Sequence, residues 1–262
     1  MAVIGIMDSG AGGLSVFREI RKLLPGARYI YFADNANCPY GDKPAAFIIE
    51  RCRTITEMMI RKGADVLVLA CNTATAAAIA TLRQEFSIPF IGMEPAVKTA
   101  AGRTESGIIG VLATTGTLKA SKYIDTKGRF ANGVKIFESV GKGFVELVES
   151  CRLDGPEAEQ TCASSLLPLL EKGADTIVLG CTHYPFLLDT LKKVAAENGH
   201  PQTRFIDPAP AVARQLRKVI EENGIAEESP EAGLELYASG SDRSLRELLP
   251  LTGTRGTFPS EP

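Results

Sequence analysis

The sequence is poor in metal ligands: His183 and His200 are its only histidines, and no Cys-x-x-C pair occurs among Cys38, Cys52, Cys71, Cys151, Cys162 and Cys181. A structural zinc site therefore has little to be built from, and no metal is expected. Charge of one sign is lacking too, since 29 Lys and Arg face 31 Asp and Glu for a formal net charge of −2 and a pI near 5.9. Basic residues are scattered rather than blocked, which excludes the electrostatic footprint of a phosphate-backbone binder and makes nucleic acid an unexpected primary partner. No apolar run approaches bilayer-spanning length. The opening Met1-Ala-Val-Ile-Gly-Ile-Met-Asp8 has no basic segment leading into an apolar one with a cleavage site. A cytoplasmic protein without a membrane partner is expected, and in that reducing compartment the six thiols read as packing or chemical groups rather than bridges.

What is present suits a large core. The 262 residues are 45% hydrophobic and 23% charged, enough for two small domains or one large one. Short β-branched runs alternate with longer amphipathic stretches, the pattern of parallel strands joined by crossover helices, so the class is α/β. Strands are expected at Val3–Met7, Arg28–Ala33, Val66–Ala70, Phe90–Met93, Gly107–Leu112, Val134–Glu138, Thr176–Gly180 and Thr203–Asp207, with helices such as Ala45–Lys62 and Gly155–Lys172 between them.

Two stretches nearly repeat: Gly63-Ala-Asp-Val-Leu-Val-Leu-Ala-Cys71-Asn-Thr73 and Gly173-Ala-Asp-Thr-Ile-Val-Leu-Gly-Cys181-Thr-His183. Each reads as a helix end, a buried strand and a cysteine. Ile4-Gly-Ile-Met-Asp-Ser9 is echoed more faintly by Ile109-Gly-Val-Leu-Ala-Thr114. The chain thus reads as two pseudo-symmetric three-layer α/β domains with mostly parallel sheets and the active site in the cleft between them. The first comprises residues 1–95 with 208–262 and the second residues 96–207, with a seam at Met93-Glu94-Pro95, where proline disfavours helix in the residue before it. The segment Leu234–Ser239 is expected to return to the first domain as a further strand, and the polar, Gly/Pro-rich stretch from Thr252 to Pro262 to fray.

Ligands of parallel sheets collect beyond the carboxyl ends of strands, where helix starts present N–H groups. Four loops qualify. Asp8-Ser9-Gly10-Ala11-Gly12-Gly13-Leu14-Ser15 offers a carboxylate, a hydroxyl and glycines that permit close backbone approach. It lacks the third glycine of a dinucleotide fingerprint, having Ser15 there, and the Gly-Lys-Ser/Thr of a P-loop, which disfavours a cofactor phosphate. Taken alone, it is equally a tight strand-to-helix turn. Asn37-Cys38-Pro39-Tyr40-Gly41 adds a phenol within turn chemistry. The loops after Cys71 and Cys181 carry the strongest signal. One such cysteine is more often a small buried hydrophobe, as Cys52, Cys151 and Cys162 are read to be from their helical patterns. Two at matching places in two halves can serve opposite faces of one carbon, as base and acid in turn, which is what racemisation requires.

These residues, Asp8-Ser9-Gly10 with Gly12-Gly13-Leu14-Ser15, Cys38-Pro39-Tyr40-Gly41, Ala70-Cys71-Asn72-Thr73-Ala74 and Gly180-Cys181-Thr182-His183-Tyr184-Pro185, together resemble the bacterial glutamate racemases over almost the whole chain. The resemblance implies an isomerase with no pyridoxal phosphate or other cofactor, making D-glutamate for peptidoglycan and so for cell-wall biogenesis and cell shape. It implies that Cys71 deprotonates the D enantiomer and Cys181 the L enantiomer, assisted by Asp8 and His183. Asp8, Ser9, Tyr40, Gly41, Asn72, Thr73, Thr182 and His183 would hold the substrate, Thr114 and Thr117 would add donors, and Glu149 would support His183. Nothing in the composition itself chooses glutamate over aspartate, and a regulatory protein that keeps the cleft without turnover is the alternative of another class. A homodimer is the default assembly.

Some members of that family carry an N-terminal extension associated with activation by a peptidoglycan precursor, whereas this sequence begins at its first strand. Full activity of the purified protein without added precursor is the expected outcome, and an obligatory requirement for one in a racemase assay would refute it.

Overall fold

A computed structural model of the chain describes residues 2–130, 133–225 and 232–259. The chain divides into two compact units, Met1–Met93 with Ala209–Pro262, and Glu94–Pro208.

The first unit opens with β1 (Val3–Asp8), α1 (Leu14–Leu23), β2 (Arg28–Ala33), α2 (Ala45–Arg61), β3 (Val66–Leu69), α3 (Asn72–Glu85) and β4 (Phe90–Gly92). The second runs α4 (Val97–Ala101), β5 (Ile108–Ala113), α5 (Thr115–Lys119), α6 (Ser121–Phe130), β6 (Lys135–Val140), α7 (Phe144–Glu149), α8 (Gly155–Leu170), β7 (Thr176–Gly180), α9 (Leu188–Glu197) and β8 (Arg204–Ile206). The chain then returns to the first unit with α10 (Ala209–Glu222), β9 (Gly233–Ala238) and α11 (Arg243–Leu248).

Both sheets are parallel α/β sheets, as the alternating pattern predicts. The first has the order β4-β3-β1-β2-β9 and the second β6-β5-β7-β8. Read in the reverse sense, β8-β7-β5-β6 gives each strand the same role as β4-β3-β1-β2: the strand preceding the cysteine pairs with the first strand of its unit on one side and an edge strand on the other. The expected final strand is there, since β9 pairs with β2 from Arg28 opposite Gly233 to Ala33 opposite Ala238. Strands β3 and β7 are buried along their whole length, and their unbroken apolar runs are what a parallel sheet covered on both faces requires. The edge strand β6 has only exposed and half-buried residues instead.

The repeated sentence in the sequence is a repeated structure. Gly63 and Gly173 have φ of 89° and 87°, the left-handed conformation that ends a helix and favours glycine. Around them the N–H groups of Gly63 and Ala64 donate to Ile60 O and Met59 O (2.9 and 3.0 Å), and those of Gly173 and Ala174 to Leu170 O and Leu169 O (2.8 and 3.2 Å). The aspartate that follows anchors the sheet. Asp65 Oδ2 accepts the Val3 N–H at 2.9 Å, while the Asp175 carboxylate accepts from the Thr104 hydroxyl (2.6 Å) and from the Glu105 and Ser106 N–H groups (2.7 and 2.8 Å). Strand and cysteine come next, so register and position of the thiol follow from the helix stop.

Two expectations are corrected. The tail does not fray over its described part: Thr257 bridges to Glu235, and the pairs Leu236 N–H to Thr257 O and Thr257 N–H to Leu234 O, both 2.8 Å, continue sheet pairing past β9. Phe258 packs under the Arg246 guanidinium at 4.0 Å, so side-chain contacts outweigh the turn-rich composition. Residues 260–262 of that stretch lie outside the described residues. Cys151 is not helical either; it sits beyond α7 at φ 57° and is half-buried, because the Arg152 N–H turns back to Leu147 O at 2.9 Å and closes the helix end. Among the described residues no helix is long and apolar enough to cross a membrane.

The Asp175 cluster makes a testable case. Burial alone would raise its carboxyl, but the donors from Thr104, Ser106 and Glu105 outweigh it and hold the pKa at about 2. A carboxylate lowered in the folded state contributes stability that is complete above its ordinary value near 4 and is lost as pH falls through about 2. Asp175→Asn should therefore lower unfolding free energy by about 1–2 kcal/mol at neutral pH, allowing for partial solvent screening. Urea unfolding from pH 7 downward should show variant and parent converging as pH approaches 2.

Candidate functional site

In the first unit, three chain segments lie at the carboxyl ends of β1, β2 and β3. Asp8 closes β1 fully buried, and its Oδ1 accepts the Gly10 N–H at 2.7 Å. The Tyr31 hydroxyl donates to Gly10 O at 2.9 Å, pinning the loop from the neighbouring strand. Glycine is required at position 13, where a Cβ would fall 2.7 Å from the Tyr31 hydroxyl and 2.8 Å from the Asp8 Cβ. The bend this permits starts α1 and keeps Ser9 buried beside β3.

Cys71 is the N-cap of α3. Its Sγ accepts the Ala74 N–H at 3.4 Å, and its thiol donates to Ser9 Oγ at 3.7 Å. A helix start whose N–H points at sulfur favours the thiolate. Asn72 is 5% exposed, yet neither atom of its amide has a hydrogen-bond partner among the described residues. Leaving such a group unpaired costs about 1–3 kcal/mol, a penalty that a bound polar ligand would remove. Thr73 is buried beside it.

The Tyr40 hydroxyl donates to Asp34 Oδ2 at 2.5 Å and the residue is 1% exposed. Its proton is thus committed within the protein, and toward a ligand Tyr40 offers only the acceptor side of its oxygen. Gly41 follows, half-buried, in a short 3-10 turn, Tyr40–Asp42.

In the second unit Cys181 follows β7 directly and is buried. Its sulfur lies 3.7 Å from His183 Nδ1, and Thr182 Oγ1 lies 3.5 Å from the same nitrogen. His183 Nε2 meets Glu149 Oε1, the last residue of α7, at 2.7 Å. A carboxylate on Nε2 selects the tautomer with the proton there, which leaves Nδ1 to accept from the thiol. The result is a carboxylate, imidazole and thiol in series. Gly180 is required beside this thiol, since a Cβ there would come within 2.9 Å of Leu112 O. Thr114 caps α5, its Oγ1 accepting from the Thr117 N–H at 3.3 Å and lying 3.0 Å from Thr117 Oγ1. The two threonines the sequence singles out are therefore one hydrogen-bonded pair.

The other buried thiols differ. Burial, with a smaller contribution from the neighbouring Cys71, pushes Cys52 far above the ordinary thiol range, and burial pushes Cys162 up to about 12. Both remain protonated packing groups, as their helical patterns predict. Sequence reasoning missed Asp34 and Arg51: the buried Asp34 carboxylate joins the Tyr40 hydroxyl to the half-buried Arg51 guanidinium. An aspartate directly after the second strand, just as Asp8 ends the first, was the available signal.

The Asp/Glu/Hydantoin racemase family model matches residues 4–216. The glutamate racemase of Ectopseudomonas mendocina is 45% identical over 95% of this chain and 94% of its own. Among solved structures, that of Escherichia coli glutamate racemase with L-glutamate and the activator UDP-MurNAc-ala superposes with a TM-score of 0.85 at 36% identity, covering 98% of this chain and 97% of that one. The Bacillus anthracis isoform RacE1 gives a TM-score of 0.86 at 31% identity, covering 98% and 96%. The chain belongs to the Asp/Glu/Hydantoin racemase family and, within it, to the glutamate racemases.

The glycine requirement is open to test. Gly180→Ala should destabilise the fold by about 1–3 kcal/mol, because backbone rather than a mobile side chain opposes the new methyl. Gly128→Ala, where nothing lies within 4 Å of the added Cβ, should leave thermal unfolding unchanged or raise its midpoint slightly.

Proposed function

We propose that the protein interconverts L- and D-glutamate without a cofactor by a two-base mechanism in which Cys71 and Cys181 each serve one face of the α-carbon. The observation that carries the proposal is the paired placement of the thiols. Each follows the equivalent strand of its own unit, and each has polar partners at its sulfur, the Ala74 N–H and the Ser9 hydroxyl for Cys71 and the His183 ring for Cys181.

In the L to D direction the Cys181 thiolate takes the α-proton and becomes a thiol, while the Cys71 thiol gives its proton to the opposite face and becomes a thiolate. The D to L direction reverses both transfers. The proton taken from one face is matched by the proton given to the other, each turnover leaves the two thiols with exchanged protonation, and no atom changes oxidation state, so no outside oxidant or reductant is needed. His183, backed by Glu149, holds or returns the proton at Cys181, and Asp8 assists at Cys71. Because the α-proton is far less acidic than a thiol, donors must stabilise the charge that develops on the α-carboxylate. Ser9, Asn72, Thr73, Thr114, Thr117 and Thr182 are the side chains we assign to the carboxylates. Asp8 and the Tyr40 oxygen suit the ammonium, with the backbone at Gly41 beside them and His183 at the reacting end. The unpaired amide of Asn72 supports a polar ligand at this place. Glutamate as substrate is supported by 45% identity to a glutamate racemase across nearly the whole chain. Supply of D-glutamate to peptidoglycan in the cytoplasm, by a homodimer, completes the reading.

The reaction is tested in deuterium oxide with each enantiomer, following optical rotation and loss of the α-proton signal by NMR. The parent protein should invert both enantiomers with deuterium entry. Cys71→Ser and Cys181→Ser should each lower turnover by about 10²–10⁴-fold, with folded-state circular dichroism unchanged. Exchange with aspartate but not glutamate would overturn the substrate, and no exchange with any amino acid would overturn the activity. Glu149→Gln, which keeps the shape but not the charge on His183 Nε2, should cost about 10–100-fold in kcat.

A further inference from the structure

The proposed chemistry leaves unused the most strongly organised charge cluster of the first unit. Asp34 follows β2, and its side chain is 0% exposed against 28% for its partner Arg51 in α2. Arg51 donates from Nε to Oδ2 at 3.0 Å and from Nη2 to Oδ1 at 2.7 Å, a two-pronged contact. Asn37 Nδ2 donates to both carboxylate oxygens (3.0 and 3.1 Å), and Tyr40 donates to Oδ2 at 2.5 Å. The main chain is tied as well: Asp34 N–H donates to Asp8 O, and Asn37 N–H to Asp34 O, both at 2.9 Å. The carboxylate thereby joins Arg51 of α2 to the loop that bears Tyr40 and Gly41, and the Asp34 main chain ties that loop to the end of β1.

Packing alone does not call for this arrangement, since apolar groups of the same volume would often be at least as stable as a buried ion pair. The neighbourhood suggests its use. Tyr40, Cys52 and Cys71 share one buried cluster. Negative charge at Cys71 bears on the Tyr40 phenol and on Cys52, and Cys52 also feels Asp34 and Arg51. Among the described residues, Tyr40 in the loop and Cys52 on α2 interact with Cys71, and both interact with the carboxylate of Asp34; Arg51 brings a cation to the same group.

We infer that the Asp34–Arg51 pair is a positioning element of the reaction: it fixes the Tyr40 loop beside Cys71 and presents that thiol with a balanced ion pair instead of a bare buried charge. Neither residue touches the reacting atoms. The inference rests on the reading of Cys71 as one of the two proton-transfer groups.

The two members of the pair have opposite charges, so their removal must act on the thiol with opposite signs, which a merely structural role would not do. The thiolate absorbance of Cys71 is titrated in a Cys181→Ser background, with a Cys71→Ser/Cys181→Ser protein subtracted. Arg51→Met should move the Cys71 midpoint up by about one pH unit or more, and Asp34→Asn should move it down. In the otherwise intact enzyme, both changes should raise the KM for glutamate at least tenfold. Arg51→Lys, which retains the charge without the two-pronged contact, should restore the midpoint while KM stays raised, and it covers the case in which Arg51→Met does not fold. Shifts of the same sign, no shift in any folded variant, or activity loss that merely tracks the unfolded fraction would overturn the inference. A parent protein that fails to racemise glutamate would instead overturn the function, while the signs of the titration shifts would still decide the role of the pair.

Discussion

Everything chemical in this protein depends on the double burial of its parallel strands. Strands covered on both faces admit almost no polar side chain along their length, so polar groups gather where the strands stop and helices begin. There the chain supplies unpaired N–H groups, a turn able to bring residues from adjacent strands together, and a rigid base in the sheet. Asp8, Asp34 and Cys71 in one unit and Thr114 and Cys181 in the other all lie at such ends. The same constraint explains the glycines beside them: Gly13 and Gly180 sit where a side chain would collide with the Asp8 Cβ or with Leu112 O.

The two units answer one problem differently. Cys71 lies at a helix start and is met by a backbone N–H and a serine hydroxyl. Cys181 lies before a short 3-10 turn, Tyr184–Leu187, and is met by an imidazole that a carboxylate holds in one tautomer. A helix start provides fixed electrostatics, whereas an imidazole can itself carry the proton. The repeat thus preserved the position of the thiol and let its surroundings diverge.

Burial pushes Cys52 and Cys162 toward the neutral form, which leaves them as small apolar groups. Position at the end of a strand, rather than burial itself, separates Cys71 and Cys181 from them, since all four are nearly inaccessible.

Local pattern was enough to determine the α/β class, the strands of the described residues, the repeat and the place of each strand-end cysteine in its own unit, because apolar periodicity, helix-ending glycines and strand length are written in neighbouring residues. The motifs also carried the resemblance to glutamate racemases that identity over 95% of the chain then showed. Contacts between distant segments were decided only by the tertiary structure. The commitment of the Tyr40 proton to Asp34, the reach of Arg51 across from α2, and the pairing of Thr257 with β9 join residues far apart in sequence. Composition misjudged the tail because a polar, turn-rich segment is held by partners it meets only after folding, whereas apolar periodicity misjudged Cys151 because it does not mark where a helix turns back on itself. The sequence determined which groups stand at the strand ends; the fold alone determined which of them share a hydrogen bond, because that depends on side-chain distances that no local pattern encodes.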